Sequence, residues 1–186
     1  MKEFTDPHAV DLLACCRNGA TLQGEWPQAG MARLAASLHG AAPGAATVRW
    51  TATGSLRPVA GGEAEVWLHL CAATVVSLTC QRCLQPQDEA LQIDRRFRFV
   101  RGEDEAARLD EMSEDDVLEL PPRLDLHDLV EDELLLAMPL VPRHPRCPTP
   151  LPLPDDLDAP EEPAPNPFAA LAALRRRKPG NGPADA

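Results

Sequence analysis

The chain has 186 residues, a length typical of one globular domain with a short extension. Its apolar runs are far shorter than the roughly 20 residues of a membrane-spanning helix, and its start lacks the basic and apolar pattern of a secretory signal. We therefore expect a cytoplasmic protein with no membrane partner. Its six Cys should then stay reduced or bind a metal.

The net charge of −11 is distributed unevenly. Residues 1–101 hold ten Lys or Arg and nine Asp or Glu, whereas residues 102–165 hold four and nineteen. A protein that binds nucleic acid by general phosphate neutralisation needs a basic face, and the chain as a whole does not indicate one. The local exceptions are the basic residues 175–178 and one group of arginines, namely Arg95, Arg96, Arg98 and Arg101.

The first hundred residues predict one short helix followed by strands. Apolar residues recur at helical spacing over 31–38, and residues 47–53 alternate as in a half-buried strand. The apolar stretch 65–79 is longer than a usual strand, so we expect a bend or bulge near Ala72. Residues 91–100 alternate again, and the Cys-bearing turn between these last two strands predicts an antiparallel hairpin.

The acidic stretch 102–123 is poor in apolar residues and ends in two prolines, which predicts a mobile or loosely docked loop. Residues 124–138 then show the clearest helical pattern of the chain. Asp125 is suited to cap the start of this helix, and Pro139 ends it.

These elements predict an α+β fold, in which an antiparallel β-sheet is packed by one long helix. We expect a single domain over residues 1–147, including the acidic loop 102–123. A Pro-rich acidic linker over residues 148–165 follows, in extended conformations. Residues 166–186 predict a short amphipathic C-terminal helix with a basic tail.

One set of residues has the donor types of a metal site. Cys80 and Cys83 form a C-x-x-C pair on the hairpin turn, and His144 and Cys147 follow the long helix after a gap of 60 residues. Three thiolates and one imidazole suit a closed, structural zinc site. Ordinary reduced thiols with a surface His are the alternative interpretation. A redox pair is a further one, although redox C-x-x-C pairs open a helix and this pair precedes a strand.

Motifs of the common hydrolytic and nucleotide-binding sites are missing from the sequence, namely G-x-S-x-G, the P-loop, H-E-x-x-H and G-x-G-x-x-G. The histidines outside the metal set are scattered along the chain. We therefore predict no catalytic residues and no enzymatic activity.

Three separated blocks carry a resemblance to a known family. They are LTCQRCLQP over 78–86, LDLHDLVEDELLLAMPLVPRH over 124–144 with Cys147 behind it, and PNPFAALAALRRR over 165–177. Together they resemble the bacterial YceD family, whose members are described as large ribosomal RNA subunit accumulation proteins. The residues that match the family pattern are Cys80, Arg82, Cys83, Glu131, Glu133, Pro139, Pro142, His144, Cys147, Asn166, Pro167 and Phe168.

The resemblance implies a cytoplasmic, non-enzymatic ribosome-biogenesis factor that supports the synthesis, processing or accumulation of 23S ribosomal RNA. Its partners would be ribosomal RNA, large-subunit ribosomal proteins or assembly factors, with no small-molecule substrate. Candidate contacts to RNA or a partner are Arg82, Arg95, Arg96, Arg98, Arg101, Asn166, Pro167 and Phe168. Two alternatives stay open: a thiol- or zinc-dependent protein that uses the C-x-x-C and H-x-x-C pairs, and a plain RNA-binding module that uses the four arginines of residues 95–101.

Overall fold

The computed structural model describes residues 6–40 and 46–148. These residues contain four α-helices: α1 (Leu12–Arg17), α2 (Ala32–Ser37), α3 (Glu103–Asp110) and α4 (Leu126–Ala137). Their five strands are β1 (Thr21–Pro27), β2 (Thr47–Arg57), β3 (Glu65–Thr79), β4 (Pro86–Val100) and β5 (Asp116–Glu119). The predicted linker 148–165 and C-terminal helix 166–186 lie outside the described residues, apart from Pro148.

The five strands form one sheet in the order β1-β2-β3-β4-β5. The pairs β1–β2, β2–β3 and β3–β4 are antiparallel, and β5 pairs parallel to β4. The α+β class is therefore confirmed, but the predicted all-antiparallel sheet is wrong at its last strand. Parallel neighbours need a crossover connection, and α3 lies in the segment that connects β4 to β5.

The hairpin of β3 and β4 is the longest pairing of the sheet. It keeps one register from Val66 opposite Phe99 to Thr79 opposite Pro86. The bulge predicted near Ala72 is therefore wrong, because an extra residue would shift the partners on one side of it. Fifteen residues stay extended because β3 is paired on both sides along much of its length.

One face of the sheet carries the hydrophobic core. Alternate side chains of β2, β3 and β4 point to this face, as the period of two requires. Leu126, Val130 and Leu134 of α4 belong to the same buried cluster. The core also includes Leu12 of α1 and Leu34 of α2, so the predicted single long helix is joined by two short ones.

Glu131 of α4 ties this helix to α2. Its carboxylate accepts hydrogen bonds from the backbone N–H groups of Arg33 (2.8 Å) and Leu34 (3.0 Å) in the first turn of α2. These N–H groups have no partner within their own helix. Arg33 also forms an ion pair with Glu131 at 3.0 Å. Glu131, which is 4% exposed, therefore caps α2 from a different helix.

The acidic segment 102–123 is not the loop that its composition predicts. It contains α3 and β5, and Val117 of β5 is buried. Asp110 accepts a hydrogen bond from the Val117 N–H at 2.9 Å, which links the end of α3 to the start of β5. Val117 lies in register with Arg98, so both side chains share the sheet face opposite the core.

Candidate metal centre

The tip of the β3–β4 hairpin holds Cys80 and Cys83 side by side. The Cys80 N–H donates to the Gln85 carbonyl at 3.0 Å, and the Leu84 N–H donates to the Cys80 carbonyl at 2.9 Å. Leu84 has a positive φ of 59°, a left-handed conformation that costs a residue with a side chain about 1 kcal/mol or more. The tight turn thus brings two sulfur atoms to one side of the tip.

The segment after α4 supplies the other two donors. The Gln81 N–H donates to the Pro142 carbonyl at 2.9 Å, which fixes this segment against the hairpin tip. Cys83 Sγ then lies 3.4 Å from His144 Nδ1, and Cys80 Sγ lies 3.9 Å from Cys147 Sγ. The four predicted donors therefore come together, with all of their ligand atoms within 4.8 Å of one another.

Groups around the four donors orient them. His144 Nε2 lies 3.1 Å from the Pro86 carbonyl and can only donate there, which leaves the Nδ1 lone pair directed at the cluster. Arg82 donates from Nε to Cys147 Sγ at 2.9 Å and from its terminal nitrogen to the His144 carbonyl at 3.0 Å. Arg82 thus contacts one of the sulfurs directly, as a supporting cation.

The local hydrogen bonds favour a thiolate at one of the buried sulfurs. Burial raises the pKa of Cys80, but N–H donors from His144, Arg82 and Cys83 outweigh that effect and lower the pKa to about 5. Burial raises the pKa of Cys83, and the neighbouring sulfurs raise it further. A thiolate beside two more sulfurs and an imidazole is a donor set that can hold a metal ion.

The arginines of β4 separate into paired and unpaired groups. Arg95 forms ion pairs with Asp116 (2.7 Å) and Glu133 (3.4 Å), and Arg98 pairs with Glu65 (2.9 Å). Arg96 and Arg101 are exposed and lie in no ion pair among the residues that the structure describes. Two of the four candidate contact arginines are therefore engaged in ion pairs, and contact of this group with RNA or a partner stays a prediction. The other candidate contacts, Asn166, Pro167 and Phe168, lie outside the described residues.

The fold gives the histidines outside the metal set polar or aromatic partners. His69 of β3 lies 2.6 Å from Asp94 and 3.5 Å from Cys71 Sγ. His8 and His127 contact each other with ring centroids 4.9 Å apart. The spacing of His69 and Cys71 by two residues on a strand was the available signal for the first group. The second group depends on tertiary structure that no local pattern indicates.

None of the helices in the ranges 6–40 and 46–148 has the length and apolar character that crossing a bilayer requires.

Comparison with known proteins gives the family of the chain. The family model of the large ribosomal RNA subunit accumulation protein YceD matches residues 68–175, which is more than half of the chain. The chain belongs to the YceD family. The matched region of this YceD-family chain begins in β3 and includes α4 and all four donors of the candidate metal centre.

A curated relative gives the same result. The large ribosomal RNA subunit accumulation protein YceD of Haemophilus influenzae is 38% identical to the chain over 106 residues. That alignment covers 55% of the chain and 61% of the YceD relative, so the match spans less than two thirds of the relative's length. No solved structure matches the chain at a significant level.

Proposed function

We propose that the protein is a binding factor that supports the accumulation of 23S ribosomal RNA during assembly of the large ribosomal subunit. The observation that carries this proposal is the YceD family match over residues 68–175. The matched relative from H. influenzae has large ribosomal RNA subunit accumulation in its name. The protein acts by holding a partner, which is ribosomal RNA, a large-subunit protein or an assembly factor, and it transforms no substrate.

Zinc is the metal that the four donors fit best. Soft thiolate sulfur and borderline imidazole nitrogen both bind Zn²⁺, which takes four ligands in structural sites. The set of Cys80, Cys83, His144 and Cys147 fills such a shell and leaves no open position for a substrate. The ion would therefore be structural, fastening the hairpin tip to the segment after α4.

This arrangement argues against the thiol-enzyme alternative. Cys80 and Cys83 are almost completely buried, whereas a reactive thiol needs access for its substrate. The C-x-x-C pair lies in a turn between two antiparallel strands and does not start a helix. The metal-bound tip serves instead as a rigid part of the binding surface, with the exposed side chains of Arg82 and Leu84 on it.

Depletion of the protein in the organism that encodes it tests the proposed function. We expect the ratio of 23S to 16S ribosomal RNA to fall on depletion, and wild-type protein to restore it. The Cys71→Ser variant should restore it equally, because Cys71 lies outside the metal centre. The Cys147→Ser variant should restore it poorly, because it removes one donor. An unchanged ratio after depletion contradicts the proposed function.

A further inference from the structure

The sheet face opposite the core carries a second candidate site, away from the metal centre. A concave cup of about 330 Å³ lies there between β2, β3 and β4. This volume is at the lower end of the roughly 300–1,000 Å³ typical of small-ligand clefts. The side chains that line it on this face are Thr53, Ser55, Arg57, Trp67, His69 and Arg96.

Two arginines of the cup are not among the ion-paired arginines of the described part of the chain. Arg57 and Arg96 are exposed and form no ion pair within the described ranges 6–40 and 46–148. Other arginines of the same face are paired: Arg49 with Glu25 at 3.2 Å, and Arg98 with Glu65. Arg57 on β2 and Arg96 on β4 both line this concave surface, and guanidinium groups without an ion-pair partner favour an anion there.

Two acidic side chains near the cup already have partners. Glu65 lies opposite Arg57 in the sheet register, accepts a hydrogen bond from Trp67 Nε1 at 2.9 Å and pairs with Arg98. His69 Nε2 lies 2.6 Å from the Asp94 carboxylate, and this hydrogen bond lowers the pKa of Asp94. Arg96 lowers that pKa further through its charge, so Asp94 and Arg96 are close enough to interact. The three arginines of the cup and its edge outnumber the two carboxylates by one, which leaves a net positive charge there.

An aromatic ring and two hydroxyl groups complete the cup. The Arg57 guanidinium carbon lies 3.8 Å from the centroid of the Trp67 ring, in a cation–π contact. Arg57 is exposed, so a second planar group from solvent can reach its guanidinium. Nucleobases stack on guanidinium planes of this kind. Ser55, which is half-buried, adds a hydroxyl that suits a phosphate oxygen or a ribose hydroxyl. The Thr53 hydroxyl shares a hydrogen bond with the Thr21 hydroxyl at 3.0 Å and keeps further capacity for one partner.

We propose that this cup binds one nucleotide of single-stranded RNA, with its phosphate between Arg57 and Arg96 and its base stacked on Arg57. The inference deepens the proposed function, on which it rests, by assigning RNA as a direct partner and this face as the contact. Stacking of an unpaired base on an open sheet is a common mode of single-strand recognition. α3 lies near this face, because Glu105 of its acidic first turn is close enough to interact with Arg98.

Fluorescence anisotropy with a labelled oligouridylate tests the cup in the full-length protein. We expect the double variant Arg57→Gln, Arg96→Gln to bind at least tenfold more weakly than wild type at low salt. The slope of log binding constant against log salt concentration should become shallower by about 0.7 for each phosphate that the variant no longer neutralises. The matched control Arg49→Gln removes an arginine of the same face that Glu25 already neutralises, and its affinity should stay within twofold of wild type.

Three binding results would contradict the proposed RNA site: no binding of wild type at low salt, equal losses in the double variant and in Arg49→Gln, or equal competition by polyglutamate. Polyglutamate competition would assign the face to an acidic protein segment. The depletion strain distinguishes failure of the proposed RNA site from failure of the proposed function. If the double variant fully restores 23S ribosomal RNA, the cup is wrong while the role in accumulation stands.

Discussion

Removal of zinc with a strong chelator should lower the melting temperature of the wild-type protein by roughly 8–16 °C. The proposed metal would join two chain segments separated by 60 residues, so its binding free energy would contribute directly to folding. A ligand present at a thousand times its Kd stabilises the folded state by about 4 kcal/mol, and each kcal/mol shifts the melting temperature of a domain of this size by about 2–4 °C. Differential scanning fluorimetry with and without chelator measures the shift.

Two variants show whether the shift arises at the proposed centre. Cys147→Ser should melt at the temperature of the chelated wild type and should no longer respond to chelator. Cys71→Ser should keep both the wild-type melting temperature and its response, although Cys71 lies in the other Cys-containing donor group, with His69 and Asp94. A chelator response that persists in Cys147→Ser and disappears in Cys71→Ser would place the metal at that second group instead.

Replacement of Glu131 by Ala should reduce the free energy of unfolding by about 3 kcal/mol at pH 7. The variant leaves two N–H groups at the start of α2 without their acceptor and removes a charge-assisted contact to Arg33. Asp132 is the matched control, because it neighbours Glu131 and also contacts Arg33, but its side chain is 51% exposed. Asp132→Ala should cost less than about 1 kcal/mol. Urea denaturation measures both values.

The effect of Glu131 should also depend on pH. Burial raises the pKa of Glu131, but the N–H groups and the guanidinium of α2 outweigh this and lower the pKa overall. A carboxyl group with a lowered pKa stabilises the fold above its unfolded-state pKa of about 4.3 and loses that contribution as pH falls through the folded value. The difference between wild type and Glu131→Ala should therefore shrink below about pH 4. If the difference in unfolding free energy between wild type and Glu131→Ala stays constant from pH 7 to pH 3, Glu131 does not cap α2 as an ionised carboxylate.

The hairpin and α4 were predictable because their patterns are local. Alternation over β3 and β4 and helical spacing over α4 each reflect the face that packs on the core. The predicted cap is confirmed as well, because Asp125 accepts hydrogen bonds from the N–H groups of His127 and Asp128. The grouping of Cys80 and Cys83 with His144 and Cys147 was predicted from the C-x-x-C spacing and from donor chemistry. No local pattern indicates that the two pairs lie close together, because this depends on how α4 docks.

The acidic segment 102–123 shows where local patterns fail. Its composition resembles that of a loop, yet α3 is supported by the pair of Glu105 and Arg108, and β5 by its pairing with the sheet edge. One of these contacts is an ion pair and the other is made with a strand elsewhere in the sequence. Hydrophobic periodicity indicates neither of them. The same holds for α1 and β1, which the sequence did not predict. Their buried contacts, such as the Cys16 Sγ hydrogen bond to the Trp67 carbonyl at 3.3 Å, involve residues far away in the chain.

The most direct test of the central claim is the metal content of the purified full-length protein by native mass spectrometry. The account predicts one zinc ion per chain in the wild type and in Cys71→Ser, and none in a double variant that carries Cys80→Ser and Cys147→Ser. A wild-type protein that takes up no zinc when the ion is supplied, and whose Cys80, Cys83 and Cys147 react freely with thiol reagents, would contradict it.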